Sequence, residues 1–402
     1  MIRVATANLY LNGEQGINAD QSALMSTEAE LASGKQINSP ADNPVGAAQA
    51  ALLQSDLAQL GQYSSNQAQA THLLNSASST LTQAVNVMQS VNTTLVQAGN
   101  ATLNDTDRSA LAAQLQQDLN QLVGLANTSD GQGGYLFGGS VNSTPPFVQN
   151  GNNVSYVGDN IVPGVQISQT RSEQVKYSGA AVFMSVPSGN GTFATAAASG
   201  NTGTGTISAG TVISPGSLTG DSYTITSNGG GSYTVVDNTK NTTVSGVTTT
   251  PGNPTTLAFD GMQVSIGGTP SVGDTFTITP STNQSIFSTI AAAIAALQTP
   301  TTSAAAAAQS SAAISTALGG TQQAITSLST TQASMGAQLS ELNTYGTVNS
   351  DQTLQDQTQM SSIVDLNYAQ GASQLSQQQT QYQAALQSYA SISKLSLFNY
   401  IP

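Results

Sequence analysis

The sequence predicts an α+β protein: long helices from both ends form an antiparallel bundle or coiled-coil rod that carries an inserted all-β domain. Three observations point there. Composition divides the 402 residues into zones. Residues 1–130 are rich in Ala, Leu, Gln and Asn, residues 131–285 in Gly, Thr, Ser, Val and Tyr, and residues 286–402 again in Ala, Gln, Ser and Leu. Apolar side chains recur every seven residues in both outer zones, the period of packed helices. In the middle zone they alternate with polar ones in short runs punctuated by Gly, the period of strands.

The first helix carries Tyr10, Ile17, Leu24 and Leu31 seven apart. The segment SGKQINSPADNP then interrupts, with Gly34, Pro40 and Pro44 as breakers. Asn43 can cap the next helix, with Pro44 in its first turn. That helix runs to about Ala98, with Leu74, Leu81, Met88 and Leu95 at one heptad position and Ala77, Ala84, Val91 and Ala98 three residues on. Such a seam over residues 44–98 implies a rod on the order of 80 Å long. A shorter helix starts near Asp105, places Leu111, Leu115, Leu119, Leu122 and Leu125 on one side, and ends at Asp130-Gly131.

In the middle zone, SYTITS (222–227), the loop 228–231 and SYTVV (232–236) read as a hairpin. Leu257–Phe259, Asp260-Gly261 and Met262–Ile266 read as a second, the Asp-Gly pair favouring a type I′ turn. Phe276–Ile278 alternates as well, and residues 187–205 read as a mobile loop. In the last zone Ile314, Leu318, Ile325, Leu328, Met335, Leu339 and Leu342 form a seam in which Thr321 and Gln332 fill two steps. Tyr368, Leu375, Tyr382 and Tyr389 are again seven apart. Both ends thus supply helices of matching length, as when a chain goes out, builds a β domain and returns.

Charge narrows the function. Seven Lys and Arg stand against 20 Asp and Glu, giving a net charge of −13, and only 7% of residues are charged. Such a surface neutralises few phosphates, which excludes nucleic acid and anionic membranes as partners. Without Cys there is no disulfide, thiol nucleophile or cysteine metal site. The only His, His72, falls on the outward face of its helix, away from any triad partner. Asp105 and Asp107 suit a first helical turn better than acid–base work. No Lys-Ser/Thr follows Gly138-Gly139, so there is no phosphate loop, and no metal or cofactor set emerges. The start MIRVATANLYLNGEQ has Gly and Glu where a secretory signal needs its apolar core, so export through that route is not expected.

The chain is polar yet poor in ions, so its surfaces are cheap to desolvate. Residues 1–33 and 360–402 carry one thin apolar stripe each. A pair of such helices is marginal alone and is expected to order fully when packed against neighbours. Leu397, Phe398 and Tyr400, in the ending SLFNYI, suggest a terminus that something covers.

Several segments carry a resemblance. The opening MIRVATANLYLNG, the loop LASGKQINSPADNPVGAAQA (31–50), GYLFGGSVNSTPPF (134–147) and LSQQQTQYQAALQSYASISKLSLFNYI (375–401) resemble, in this order, flagellin-like axial proteins and specifically the flagellar hook-associated protein 3 (FlgL) family. The shared motif positions are Ser33, Gly34, Asn38, Pro40, Asp42 and Pro44 in the loop, and Tyr135, Phe137, Gly138 and Gly139 at the entry to the insert. Asn43 stands where an acidic residue is common, a change of little consequence for a cap. The insert fits more loosely, although GDTFTITP (273–280) is similar to strands in such inserts.

The resemblance implies a structural hook–filament junction subunit, exported through the flagellar type III apparatus to the extracellular flagellum and not an enzyme. The implied partners are a ring of identical copies, the first hook–filament junction protein, flagellin, and an export chaperone at the C-terminal region. The implied domains are terminal helices (1–43 and 350–402) that form an inner tube and order on assembly, a helical rod (44–133 and 303–349), and an outer β-rich insert (134–302). The subunit interface is then expected at Tyr10, Ile17, Leu24, Leu31, Tyr368, Leu375, Tyr382, Tyr389, Leu397, Phe398 and Tyr400. Leu74, Leu81, Met88, Leu95, Ile325, Leu328 and Leu339 form the helix seam. Two other readings are open. One is a filament-forming flagellin, against which the PADNP loop and the SLFNYI ending speak. The other is an exported surface adhesin or phage-fibre protein, which the Thr/Gly-rich insert alone suggests.

Overall fold

A computed structural model describes residues 2–100, 102–140, 143–162 and 164–394. The helices are α1 (Ile2–Ser33), α2 (Pro44–Ala98), α3 (Asp105–Ala126), α4 (Ile286–Gln298), α5 (Ala304–Val364) and α6 (Tyr368–Lys394), with the strands lying between α3 and α4. Two compact units emerge: Met1–Ser65 with Thr344–Pro402, and Asn66–Asn343.

The first unit contains α1, α6 and the adjoining ends of α2 and α5. α1 packs along α6. The break between α1 and α2 occurs where expected. Gly34 takes a φ of +72°, a region open to Gly without a Cβ clash, and Asn43 Oδ1 accepts the Gly46 N–H at 2.9 Å to cap α2.

The second unit holds the apolar seam. Leu74, Leu81, Met88 and Leu95 are fully buried, as are Leu115, Leu119 and Leu122 of α3. On α5 the buried line runs through Ile314, Ala317, Thr321, Ala324, Leu328, Met335 and Leu342, whereas Ile325 and Leu339 flank it, half-buried. α3 starts on a capping box: Asn104 Oδ1 accepts from the N–H groups of Thr106 and Asp107 at 2.9 Å each, and the Asp107 carboxylate reaches back to the Asn104 N–H. The helix stops at Ala126, four residues before the expected Asp130, because Asn127 caps it. α4 was not anticipated. Its apolar face, Ile286, Phe287, Ile290, Ala293, Ile294 and Leu297, is buried, and α4 packs on α3. Arg108 ties these helices together by donating to the Ala296 carbonyl at 2.7 Å and to the Ser310 hydroxyl.

The inserted domain is a β-sandwich. One sheet has the spatial order Thr242–Thr243, Ser232–Asp237, Tyr223–Gly229, Thr275–Pro280, Phe193–Ala197. The other runs Thr248–Thr250, Thr255–Phe259, Met262–Gly267, Thr206–Ile207, with Thr211–Val212 also on the Met262–Gly267 strand. Alternate residues of both sheets meet in one core that includes Tyr223, Ile225, Leu257, Val264, Ile266, Phe276 and Ile278. Asp260 (φ +42°) and Gly261 (φ +78°) turn the second hairpin, the two left-handed residues a type I′ turn requires. Residues 187–205 are not simply a loop. Phe193–Ala197 pairs antiparallel with Thr275–Pro280, Phe193 is buried in the core, and Asn201 exchanges hydrogen bonds with Thr275.

Candidate subunit interface

In the first unit the α1 stripe, Tyr10, Ile17, Leu24 and Leu31, lies half-buried, as do Leu375, Tyr382 and Tyr389 of α6. The rings of Tyr10 and Tyr389 meet edge to face at 6.1 Å, and the Tyr10 hydroxyl donates to the Ile392 carbonyl at 3.3 Å. Two glycines set the approach. A Cβ on Gly13 would lie 3.0 Å from Tyr389 Cδ2, and one on Gly371 would lie 3.3 Å from Leu31 Cδ2. Tyr368 stays exposed, its hydroxyl over Gly34. Leu397, Phe398 and Tyr400 lie outside the described residues.

Further apolar side chains of this unit face outward: Leu9, Leu11 and Met25 on α1, Val45 and Leu52 on α2, Val348 and Leu354 on α5, and Leu386 on α6. Leu11 and Met25, each next in sequence to a stripe residue, are 55% and 61% exposed.

The loop after α1 is built by its own side chains. The Asp42 carboxylate accepts the N–H groups of Asn38 (3.0 Å) and Ser39 (2.7 Å), and the Ser39 hydroxyl accepts that of Ala41. Main-chain bonds tie the loop to the break between α5 and α6: Gln36 N–H donates to the Val364 carbonyl and Leu366 N–H to the Gly34 carbonyl, with Lys35 and Asp365 forming a bridge. Ser33, Gly34, Asn38, Pro40, Asp42 and Pro44 all belong to this corner. Beside it runs a groove of about 450 Å³, lined by Lys35, Ile37, Pro40, Ala47, Ala50, Ala51, Gln54, Met360, Val364 and Asp365 among others. Sequence reasoning missed the groove and the role of Asp42; the serine–proline–acid spacing of a polar turn was the available signal.

The other motif residues lie in the second unit. Phe137 is fully buried and meets Phe183 edge to face at 5.0 Å; Phe147 in turn touches Phe183 and Phe287. Gly139, at φ +71°, lies against Asp159 so closely that a Cβ has no room. Tyr135 is half-buried and Gly138 buried. These residues hold the entrance to the insert and present no reactive group.

Charges are mostly spent inside the second unit. Arg108 stands 3.9 Å from Asp105, Arg171 is 2.7 Å from Glu341 and 3.3 Å from Glu173, Lys176 is 2.8 Å from Asp130, and Lys240 bridges Asp221 and Asp237. Among the described residues no three His, Asp or Glu side chains gather as a metal site, and His72 lies exposed on α2. No helix among them is long and apolar enough to cross a membrane.

Known proteins share this arrangement. Residues 4–142 match the bacterial flagellin N-terminal helical region, and residues 169–280 match the D2-like domain of flagellar hook-associated protein 1. Flagellar hook-associated protein 3 of Salmonella typhimurium is 26% identical over 398 residues, 99% of either chain. The crystal structure of FlgL from Xanthomonas campestris is 30% identical with a TM-score of 0.70, covering 76% of this chain and 98% of that one. Flagellar hook-associated protein 3 from Legionella pneumophila is 28% identical with a TM-score of 0.71, covering 78% and 98%.

Proposed function

This chain belongs to the flagellar hook-associated protein 3 (FlgL) family, and from that membership we propose that it acts as a mechanical adaptor at the hook–filament junction of the extracellular bacterial flagellum, with no catalytic step. Its terminal helices are the polymerising elements. The observation that carries this is the finish of the α1–α6 pair: the stripe between the helices is only half-buried, and Leu11 and Met25 face out beside it. α6 surrounds its stripe with neutral Gln and Ser, which a neighbour can cover without stranding carboxylates. α1 and α6 pack into the inner tube of a ring of identical copies. The ring contacts the first junction protein on the hook side and flagellin on the filament side. Export runs through the flagellar type III apparatus, with a chaperone on the C-terminal region.

Deleting the gene should leave hooks without stable filaments, and re-expressing a chain that lacks residues 1–33 should not restore them. A deletion strain that still assembles full filaments overturns the reading. The flagellin alternative rests on the helical match over 4–142; it would need purified protein to grow long filaments by itself. The adhesin alternative loses its main support, because the insert resembles a domain of another hook-associated protein.

A further inference from the structure

We propose that the groove beside Lys35 receives the outer face of α1 from a second copy of this chain, with Met25 entering the groove and Glu28 pairing with Lys35. The inference rests on the terminal helices being the polymerising surface and names one contact they make.

Ile37, Pro40, Ala50, Met360 and Val364 give the groove an apolar part, and its polar lining includes the Lys35 ammonium and the Asp365 carboxylate, which accepts the Ser361 hydroxyl at 2.6 Å. That ammonium is unusual among the described residues. Arg108, Arg171, Lys176 and Lys240 each have a carboxylate of their own chain within ion-pair reach. Exposed Lys35 has no such partner among the described residues. Copies that each carry a net charge of −13 repel one another. A cation that lines this groove with no ion pair among the described residues is therefore placed to accept a carboxylate from a neighbour.

α1 carries the complementary feature twice. Leu11 and Met25 are two heptads apart and exposed, and each is followed three residues later by an exposed glutamate, Glu14 and Glu28. Residues at that spacing lie side by side on a helix, so each pair presents an apolar knob next to a carboxylate. The two pairs sit about 21 Å apart along the axis. Met25 is the better knob for an irregular groove, because its unbranched thioether adapts to the floor. The knob face and the groove are different surfaces of one unit, so their pairing is head-to-tail. Such a contact repeats from copy to copy into a ring or a helix.

The absence of Cys from the sequence makes the test clean. Cells lacking the native copy co-express two full-length chains, Met25→Cys and Ala51→Cys, and isolated flagella are oxidised. A disulfide-linked dimer should form when both chains are present and with neither alone. In a second arm, Lys35→Glu should lower incorporation into flagella by roughly tenfold, and adding Glu28→Lys should restore it. No mixed dimer from flagella that contain both chains, or normal incorporation of Lys35→Glu, overturns the proposal and leaves the junction role standing. Absence of the unaltered chain from flagella would instead remove the junction role, and this contact with it.

Discussion

Tyr10 and Tyr389 meet edge to face at an interplanar angle of 85°, joining α1 to α6 across 379 positions of sequence near the open end of the helix pair. Aromatic pairs in this geometry contribute about 0.5–1.5 kcal/mol beyond the area they bury. Both rings are half-buried, so the lower half of that range applies in the isolated chain. A double-mutant cycle with Tyr10→Leu and Tyr389→Leu, read by denaturant unfolding of the helical signal, should give a positive coupling energy. Additive effects would show that the rings are held apart in solution.

Gly139 and Gly131 both have positive φ, at +71° and +76°, but only Gly139 lies against Asp159. Gly131→Ala should therefore cost about 1–2 kcal/mol, the backbone penalty alone. Gly139→Ala adds a clash with the Asp159 main chain and should cost a further 1–3 kcal/mol or so. Asp159 holds this corner by accepting the Ser140 N–H at 2.7 Å. Urea midpoints of the two variants measure the difference, and equal midpoints would mean that the corner relaxes freely.

The long helices were legible because large apolar residues at heptad spacing reveal a buried stripe, and Leu74, Leu81, Met88 and Leu95 are fully buried. Small residues gave no such signal. Ala317, Thr321 and Ala324 hold the α5 seam where sequence periodicity favours Leu318 and Ile325. For the same reason FATAA at 193–197 looked like loop: only Phe193 is large, and the strand gains its stability from pairing with Thr275–Pro280 rather than from its own apolar content. α4 has a helical period and the Ser285 cap, yet its Ala-rich second half merges with the Ala-rich sequence that follows it. The groove was illegible for another reason. It joins the loop after α1 to the end of α5, and Gln36 bonds to Ile363 across 327 positions, so local patterns carry no trace of it.

Asp130 and Asp118 are both buried in the second unit, and they shift in opposite directions. Burial pushes Asp130 up, but the Lys176 ammonium and the N–H groups of Gln132 and Gly134 outweigh it and hold its carboxyl below the ordinary value. Its contribution is thus complete above the unfolded value of about 3.9 and is lost as pH falls through the folded one. Burial pushes Asp118 up, and hydrogen bonds from Gln114 and Ser90 offset this only in part. Ionised Asp118 therefore weakens the fold above its raised value, and the penalty fades as pH falls from that value toward about 3.9, below which it is gone. Lys176→Met, which strands the Asp130 carboxylate, should cost on the order of 3 kcal/mol near neutral pH and converge on the parent in acid. Asp118→Asn should raise the neutral midpoint and lose that advantage in acid. Urea titrations across the acid range check both signs.

The helix pair at the termini should open before the rest of the molecule does. The described side chains of α1 and α6 include only Thr27 and Gly371 as buried positions, whereas α2 and α3 each bury a run of leucines. Little apolar area is then lost when the pair separates, and local opening tracks that area. Trypsin offers a sharp readout, because the chain has only seven Lys and Arg. Arg108 is buried beneath α4 and α5, Lys176 is tied to Asp130, and the more exposed Arg171 and Lys240 are each held between two carboxylates, while Lys35 lies exposed on the loop after α1 with no ion pair among the described residues. The first internal cut should follow Lys35. With chymotrypsin, which can also enter at the tyrosines of α6, a core of about residues 44–350 should persist after both ends are gone. In assembled flagella the same sites should be protected. Ends that resist as long as the core does in the free chain would show that α1 and α6 are stable without a neighbour.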